Sequence, residues 1–173
     1  MPDEDETIRL TADVVAIAPD KTGLPHVLLI RRRWEPYAGH WALPGGHVDT
    51  GEDVATAAAR ELAEETGLAI ASDELTELGA WHAPGRDPRG RYVTIAYRAD
   101  LPHRATATAD DDATDARWWP VDALADLAVA FDHRRIITRA LASRYPATST
   151  ARGPVGVQAA VVTDTTVVQT WTR

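Results

Sequence analysis

The residues from Gly46 to Leu68 read GHVDTGEDVATAAARELAEETGL, and one helix inside this stretch limits the chain more than any other feature. Asp53 to Thr66 is Ala-rich with no internal Gly or Pro, and Gly67 follows where a helix takes its left-handed cap. Glu61, Glu64 and Glu65 stand at i, i+3 and i+4, so they share an arc of about 100° on one face. Carboxylates that close repel one another unless a cation lies among them. A hard divalent ion with oxygen ligands, Mg²⁺ or Mn²⁺, suits such a set. Taken alone, the triplet also fits a solvated acidic face offset by nearby Arg.

Composition narrows the surroundings. A chain of 173 residues, 45% hydrophobic and 25% charged, suits one domain with a real core. Its net charge of −8 argues against a broad nucleic-acid or anionic-membrane surface, while leaving room for a local basic pocket. The absence of Cys removes disulfides, thiolate metal sites and a cysteine nucleophile. The opening MPDEDET is acidic and no run approaches the roughly 18 apolar residues of a membrane span. The expectation is a cytoplasmic protein with no membrane or nucleic-acid partner.

Along the chain, residues 1–9 read as an acidic leader, 10–145 as the folded domain, and 146–173 as a Thr/Ser/Ala linker followed by a β-prone tail. Strands are expected at 11–18 and 26–30, joined as a hairpin by the PDKTG turn, and again at 75–82, 92–99 and 116–119. Helices are expected at 53–66, 120–127 and 132–144, and a loop at 34–40 leads into the WALPGG stretch at 41–46. These patterns alone reach α/β or α+β in one domain.

The acidic triplet is not isolated. Gly46 is followed after five residues by Glu52, and after seven more by Arg60-Glu61-Leu62, then Ala63, Glu64, Glu65, Thr66, Gly67 and Leu68. Every position matches GX5EX7REUXEEXGU, with U aliphatic, at a chance frequency on the order of 10⁻⁷. The chain therefore resembles the Nudix hydrolase family. That resemblance implies an α/β/α sandwich with a mixed sheet, and metal ligation by Glu61, Glu64, Glu65 and the Gly46 carbonyl. It also implies Mg²⁺-dependent attack of an activated water on a diphosphate, with Mn²⁺ as the other candidate ion. Glu61, Glu64 and Glu65 are the catalytic candidates, and the group that deprotonates the water is left open between Glu64 and an acidic residue after the box. Glu52 and Arg60 are candidates for an ion pair fixing the loop on the helix.

Substrate choice rests on the remaining segments. WALPGGHV, the loop GRDPRGRYVTIAY at 85–97, DDATDARWWPVDAL at 111–124 and AFDHRRII at 130–137 are similar to the ADP-ribose pyrophosphatase branch, which carries a Pro where Pro84 stands. Arg86 and Arg89 can offer forked donors to a diphosphate. Strand alternation sends Arg31 and Arg33 to one side and Arg32 to the other, which leaves open which side faces the phosphates; Arg31 and Arg33 are taken as further candidates. Asp111, in an acidic run, could reach the metal. Trp34, Trp41, Trp81, Trp118 and Trp119 are possible faces for adenine, and His133 reads as a packing or hydrogen-bonded residue.

The reaction expected from the resemblance is hydrolysis of ADP-ribose to AMP and ribose 5-phosphate, by a homodimer in which the tail could serve as a contact. Two alternatives share the box: hydrolysis of oxidised nucleoside triphosphates, and an ADP-ribose-sensing regulator. The regulator would need a basic DNA-binding module, whereas the 28 residues after Tyr145 read as strand.

Overall fold

The computed structural model describes residues 6–109 and 113–144. Its axis is β1 (Ile8–Pro19), which runs parallel to β6 (Arg91–Asp100) from Ile8↔Arg91 to Ile17↔Asp100. On its other edge β1 meets β2 (Pro25–Arg32) only at Ile17 to Pro19. The turn between them is tied by the Asp20 carboxylate, which accepts from the amides of Thr22 and Leu24 at 2.8 and 3.0 Å.

Beyond that turn β1 and β2 part, and the segment 41–47 fills the gap. It pairs with β2 as β3 (Trp41–Ala42), then crosses to pair with β1 as β4 (Gly45–His47). The mixed sheet is completed by β5 (Thr76–Trp81), antiparallel to β6, and β7 (Ala113–Pro120), antiparallel to β2. Its path is β3-β2-β1-β6-β5, with β4 beside β1 and β7 beside β2.

Two helices cover the sheet, and alternation along β1 serves both. Ala12, Val14 and Ala16 pack with Ala57, Ala58 and Leu62 of α1 (Val54–Thr66). Val15 and Ile17 pack with Ile136, Ile137 and Ala140 of α2 (His133–Arg144). Burial on both faces explains why TADVVAIA is almost continuously apolar. The result is the α/β/α sandwich with a mixed sheet that the resemblance implied. Among the described residues no helix is long and apolar enough to cross a membrane.

Several boundaries depart from the sequence expectation. Pairing with β6 draws β1 back to Ile8, inside the stretch read as leader. The stretch at 41–46, for which the sequence pattern suggested no element, carries β3 and most of β4 because it bridges two diverging strands. After Pro120 the chain makes a 3-10 helix, Val121–Asp126. The tail at 146–173 and Asp111 lie outside the described residues.

Candidate active site

Helix α1 starts at the Asp53 cap, whose carboxylate accepts from the amides of Ala55 and Thr56, and ends at Gly67 with φ of 73°. Between those caps the helix turns its acidic residues toward β4. Glu65 is buried, and its Oε2 accepts from the Gly45 amide at 2.8 Å. Gly46 lies against Glu61: a Cβ there would stand 2.5 Å from the Glu61 carboxyl carbon. Only glycine allows that approach.

Arg60 is the hub of the array. Its Nε and Nη2 donate to the two oxygens of Glu52 at 2.9 and 2.8 Å, a bidentate pair that ties the loop to the helix. Nη1 donates to Glu61 at 2.8 Å and to Glu64 at 3.2 Å, and Nη2 also reaches the His47 carbonyl at 3.1 Å. The Arg60 hydrogen bond holds the Glu52 carboxyl down at about 2. Glu61 moves the other way: burial raises it, outweighing the Arg60 guanidinium beside it.

One guanidinium thus serves three carboxylates and leaves an excess of negative charge. Among the described residues no three acidic or imidazole side chains close on a common point, since Glu61 and Glu64 turn to Arg60 and Glu65 to Gly45. The donor set suits a hard divalent cation: carboxylate oxygens under-compensated by charge, beside a backbone that approaches without a side chain. Glu61, Glu64, Glu65 and the Gly46 carbonyl are the groups that could hold one.

Gly45, Gly46 and Glu65 open onto a cleft of about 200 Å³ whose other lining includes Arg32, Arg33, Arg86 and Arg89. Arg33 is exposed and donates to the Ala113 carbonyl at 3.2 Å. Arg86 is bound in a fork to Asp132, at 2.6 and 3.1 Å, with only 5% of its side chain exposed. It fastens the 82–90 loop to the start of α2. Arg89 grips Asp87 at 2.6 Å and lies over the Tyr92 ring at 4.7 Å. Burial pushes the Asp87 carboxyl up, but Arg89's side chain and amide outweigh it and leave the group below its ordinary value.

Arg31 is placed elsewhere. It is exposed, donates to the Gly39 carbonyl at 3.0 Å and lies outside the cleft lining, whereas Arg32 lies within it. The β2–β7 register shifts between Arg31 and Arg32 and the strand ends there, so alternation does not carry through to Arg33. Sequence reasoning also passed over Asp13, Tyr92 and Phe131, all of which line the cleft with His133. They lie in the β1 run, in GRDPRGRYVTIAY and in AFDHRRII, segments distant from the box.

The sequence and the fold match known proteins. The NUDIX domain family model covers residues 7–140. The chain belongs to the NUDIX domain family. An ADP-ribose pyrophosphatase of Methanocaldococcus jannaschii is 42% identical over 64% of this chain and 63% of its own length. The ADPR-responsive transcriptional repressor NtrR of Acinetobacter baylyi is 33% identical over 77% of this chain and 53% of its own. This NUDIX chain therefore spans less than two thirds of either relative. The NUDIX domain of Shewanella oneidensis NrtR, solved with ADP ribose, superposes with a TM-score of 0.75 at 28% identity, over 83% of this chain and 93% of that one.

Proposed function

We propose that this chain is a Mg²⁺-dependent pyrophosphohydrolase that cleaves ADP-ribose to AMP and ribose 5-phosphate. The observation that carries the reading is that Glu65, Gly45 and Gly46 share one cleft with four arginines. One carboxylate of the set that suits a divalent cation, Glu65, thereby shares a cleft with guanidinium groups that suit a diphosphate. The ADP-ribose named for the similar pyrophosphatase, and bound in the similar NrtR domain, supports the choice of substrate.

Each group then has a task. Arg33 and Arg89 bind and orient the diphosphate, while Arg86 holds the loop that carries Arg89. Arg60 keeps Glu61 and Glu64 in place beside Gly46. Glu61, Glu64, Glu65 and the Gly46 carbonyl would hold the cation, Mg²⁺ or in its place Mn²⁺, which when bound would supply a water of lowered pKa and charge neutralisation for the leaving phosphate. The same reading takes the protein to be a cytoplasmic homodimer acting on a small nucleotide and not on nucleic acid.

The similarity to an ADPR-responsive repressor favours one second reading, a sensor that binds ADP-ribose without cleaving it. The intact REUXEE segment speaks for turnover. Product analysis with Mg²⁺ separates the cases, with ADP-ribose run beside an oxidised deoxynucleoside triphosphate at matched concentration. AMP released faster from ADP-ribose is the expected result. Faster triphosphate cleavage would overturn the substrate and keep the chemistry, and tight binding of ADP-ribose without cleavage would favour the sensor.

A further inference from the structure

The bridge from β3 to β4 carries two groups of the candidate cation site: the Gly45 amide, which holds Glu65, and the Gly46 carbonyl. Both helices grip it. Pro44 has no amide hydrogen, so within Leu43–Gly45 only two amides can anchor the chain. Gly45 gives its amide to Glu65 of α1 at 2.8 Å. Leu43 gives its own to Nδ1 of His133, the first residue of α2, at 2.9 Å. Between them the Pro44 carbonyl accepts from the Val14 amide of β1 at 2.9 Å.

The His133 contact continues a ladder begun by backbone. Just before α2 the chain runs beside β3: the Trp41 amide donates to the Ala128 carbonyl and the Ala130 amide to the Trp41 carbonyl, each at 2.8 Å. Phe131 then turns the chain away with φ of 53°. The imidazole of His133 reaches back and supplies the acceptor that the departing backbone does not. Leu43 is only 2% exposed, so its amide would otherwise be a buried donor without a partner.

Asp13 stands behind both contacts. Its Oδ2 faces His133 Nε2 at 3.8 Å, which favours the proton on Nε2 and leaves Nδ1 to accept. Its Oδ1 lies 2.6 Å from where a Cβ on Gly45 would stand, so Gly45 is pressed flat against it. Both Asp13 and His133 are buried.

We infer that His133, with its tautomer set by Asp13, is a positioning residue for the candidate cation site. It fixes the Leu43–Gly46 backbone so that the Gly45 amide keeps Glu65, and Gly46 its carbonyl, where a divalent cation would meet them. Groups one step removed from a metal's ligands are worth about 10- to 100-fold in metal affinity or activity. This inference rests on the proposed function, because it takes Glu65 and the Gly46 carbonyl to hold the cation.

Two variants of the full chain separate the hydrogen bond from the ring. H133F fills the space and offers no acceptor, whereas H133N loses the ring and keeps an oxygen that can accept from Leu43. In H133F, Mg²⁺ affinity by calorimetry and kcat for ADP-ribose should each fall at least about ten-fold. KM should stay within about two-fold, and H133N should keep most of both losses from appearing. Amide hydrogen exchange, read without Mg²⁺ or substrate and referred to each variant's global stability, should quicken at Gly45 in H133F and not in H133N. Wild-type values in H133F would overturn the inference, and so would equal losses in the two variants. A raised KM at unchanged kcat would overturn it too, by making His133 a substrate contact. If H133F does not fold, D13N decides. Its amide can donate to Nε2 and drive the ring's proton to Nδ1, where Leu43 can no longer bond. The same losses are then expected, and wild-type values in D13N would overturn the inference. A wild-type chain that bound no Mg²⁺ and cleaved no ADP-ribose would instead overturn the proposed function, and the cation-site role with it.

Discussion

The buried ring of His133 accepts a hydrogen bond at Nδ1 from the backbone amide of Leu43, 2.9 Å away. A backbone amide can only donate, so the ring is neutral with its proton on Nε2, which faces the Asp13 carboxylate at 3.8 Å. Leu43 stands two residues before Gly45, whose own amide holds Glu65. Helix α2 is thereby linked to the carboxylates of α1 through a few residues of backbone. Burial, above all, keeps His133 below the ordinary imidazole value, against the pull of Asp13. The unfolded chain takes up its proton near about 6.5, while the native ring resists. Stability from this site is therefore full above that pH and falls as pH drops toward the lower native value. Urea unfolding between pH 5 and 8 should show that slope in the wild type and lose part of it in His133→Gln. Identical slopes would assign the titration to another group.

A second prediction contrasts two glycines that flank the same loop. Gly46→Ala would drive a Cβ to 2.5 Å from the Glu61 carboxyl carbon, so either the carboxylate or the backbone must shift. Gly51 has φ of 81° and nothing within 4 Å of its would-be Cβ. Gly51→Ala should cost about 1–2 kcal/mol of stability through backbone strain and leave kcat close to wild type. Gly46→Ala should lower turnover at least about ten-fold, the effect expected of a misplaced reacting group. Steady-state rates and thermal unfolding of both variants check this, and a fully active Gly46→Ala would refute the close-approach argument.

The parts of this molecule legible in its sequence are those whose causes are local. Helix α1 announces itself because its caps, its Ala-rich body and its carboxylate face lie within one contiguous segment. β1 and β2 are legible because burial on both faces makes their runs almost wholly apolar. The rest depends on distant partners. His133 and Leu43 are 90 residues apart, and Arg86 and Asp132 are 46 apart. No period or motif couples such pairs. Arg31 and Arg32 lie on opposite sides as alternation requires, but which side meets the cleft depends on the assembled sheet, and Arg33 joins Arg32 there because β2 ends at Arg32. The two short strands at 41–47 form because β1 and β2 diverge, which is a property of the whole sheet.

Arg86 and Arg33 both line the cleft, yet their loss should read out differently. Arg86 is almost fully buried in its fork with Asp132, so Arg86→Ala leaves an uncompensated carboxylate. The expected cost is about 3 kcal/mol or more, seen as a lowered melting temperature. Arg33 is exposed, with one bond to the Ala113 carbonyl. Arg33→Ala should leave stability within about 0.5 kcal/mol and raise KM for ADP-ribose about ten-fold or more, the value of one charge-assisted hydrogen bond. Melting and kinetics measured on both variants would overturn this division if the two behaved alike.

The Glu52–Arg60 pair carries its own pH signature. Arg60 holds Glu52 at about 2, below its unfolded value of 4.5. Native Glu52 stays ionised where the unfolded carboxylate has begun to bind protons. Its contribution is present above pH 4.5 and is lost as pH falls through the native value. Glu52→Gln should flatten the acid limb of the stability curve between about pH 2 and 4.5. An unchanged acid limb would show that the fork contributes nothing to folding.

Glu65 offers the sharpest separation of structure from chemistry. Its Oε2 is the acceptor for the Gly45 amide, and a glutamine in its place can still accept that bond through its amide oxygen. Glu65→Gln should therefore keep the melting temperature of the apo protein within a few degrees. What it removes is the anionic charge that faces a bound cation. Turnover of ADP-ribose should fall by at least about a hundred-fold, because the loss acts on both the cation and the water it activates. Mg²⁺ titrations followed by calorimetry should show weaker binding in step with that loss. Glu65→Ala is the informative comparison, since it leaves the buried Gly45 amide without its acceptor and should lower both stability and rate. A Glu65→Gln variant with near wild-type turnover would remove Glu65 from the metal site and leave Glu61 and Glu64, which lie outside the cleft lining, as its remaining carboxylates.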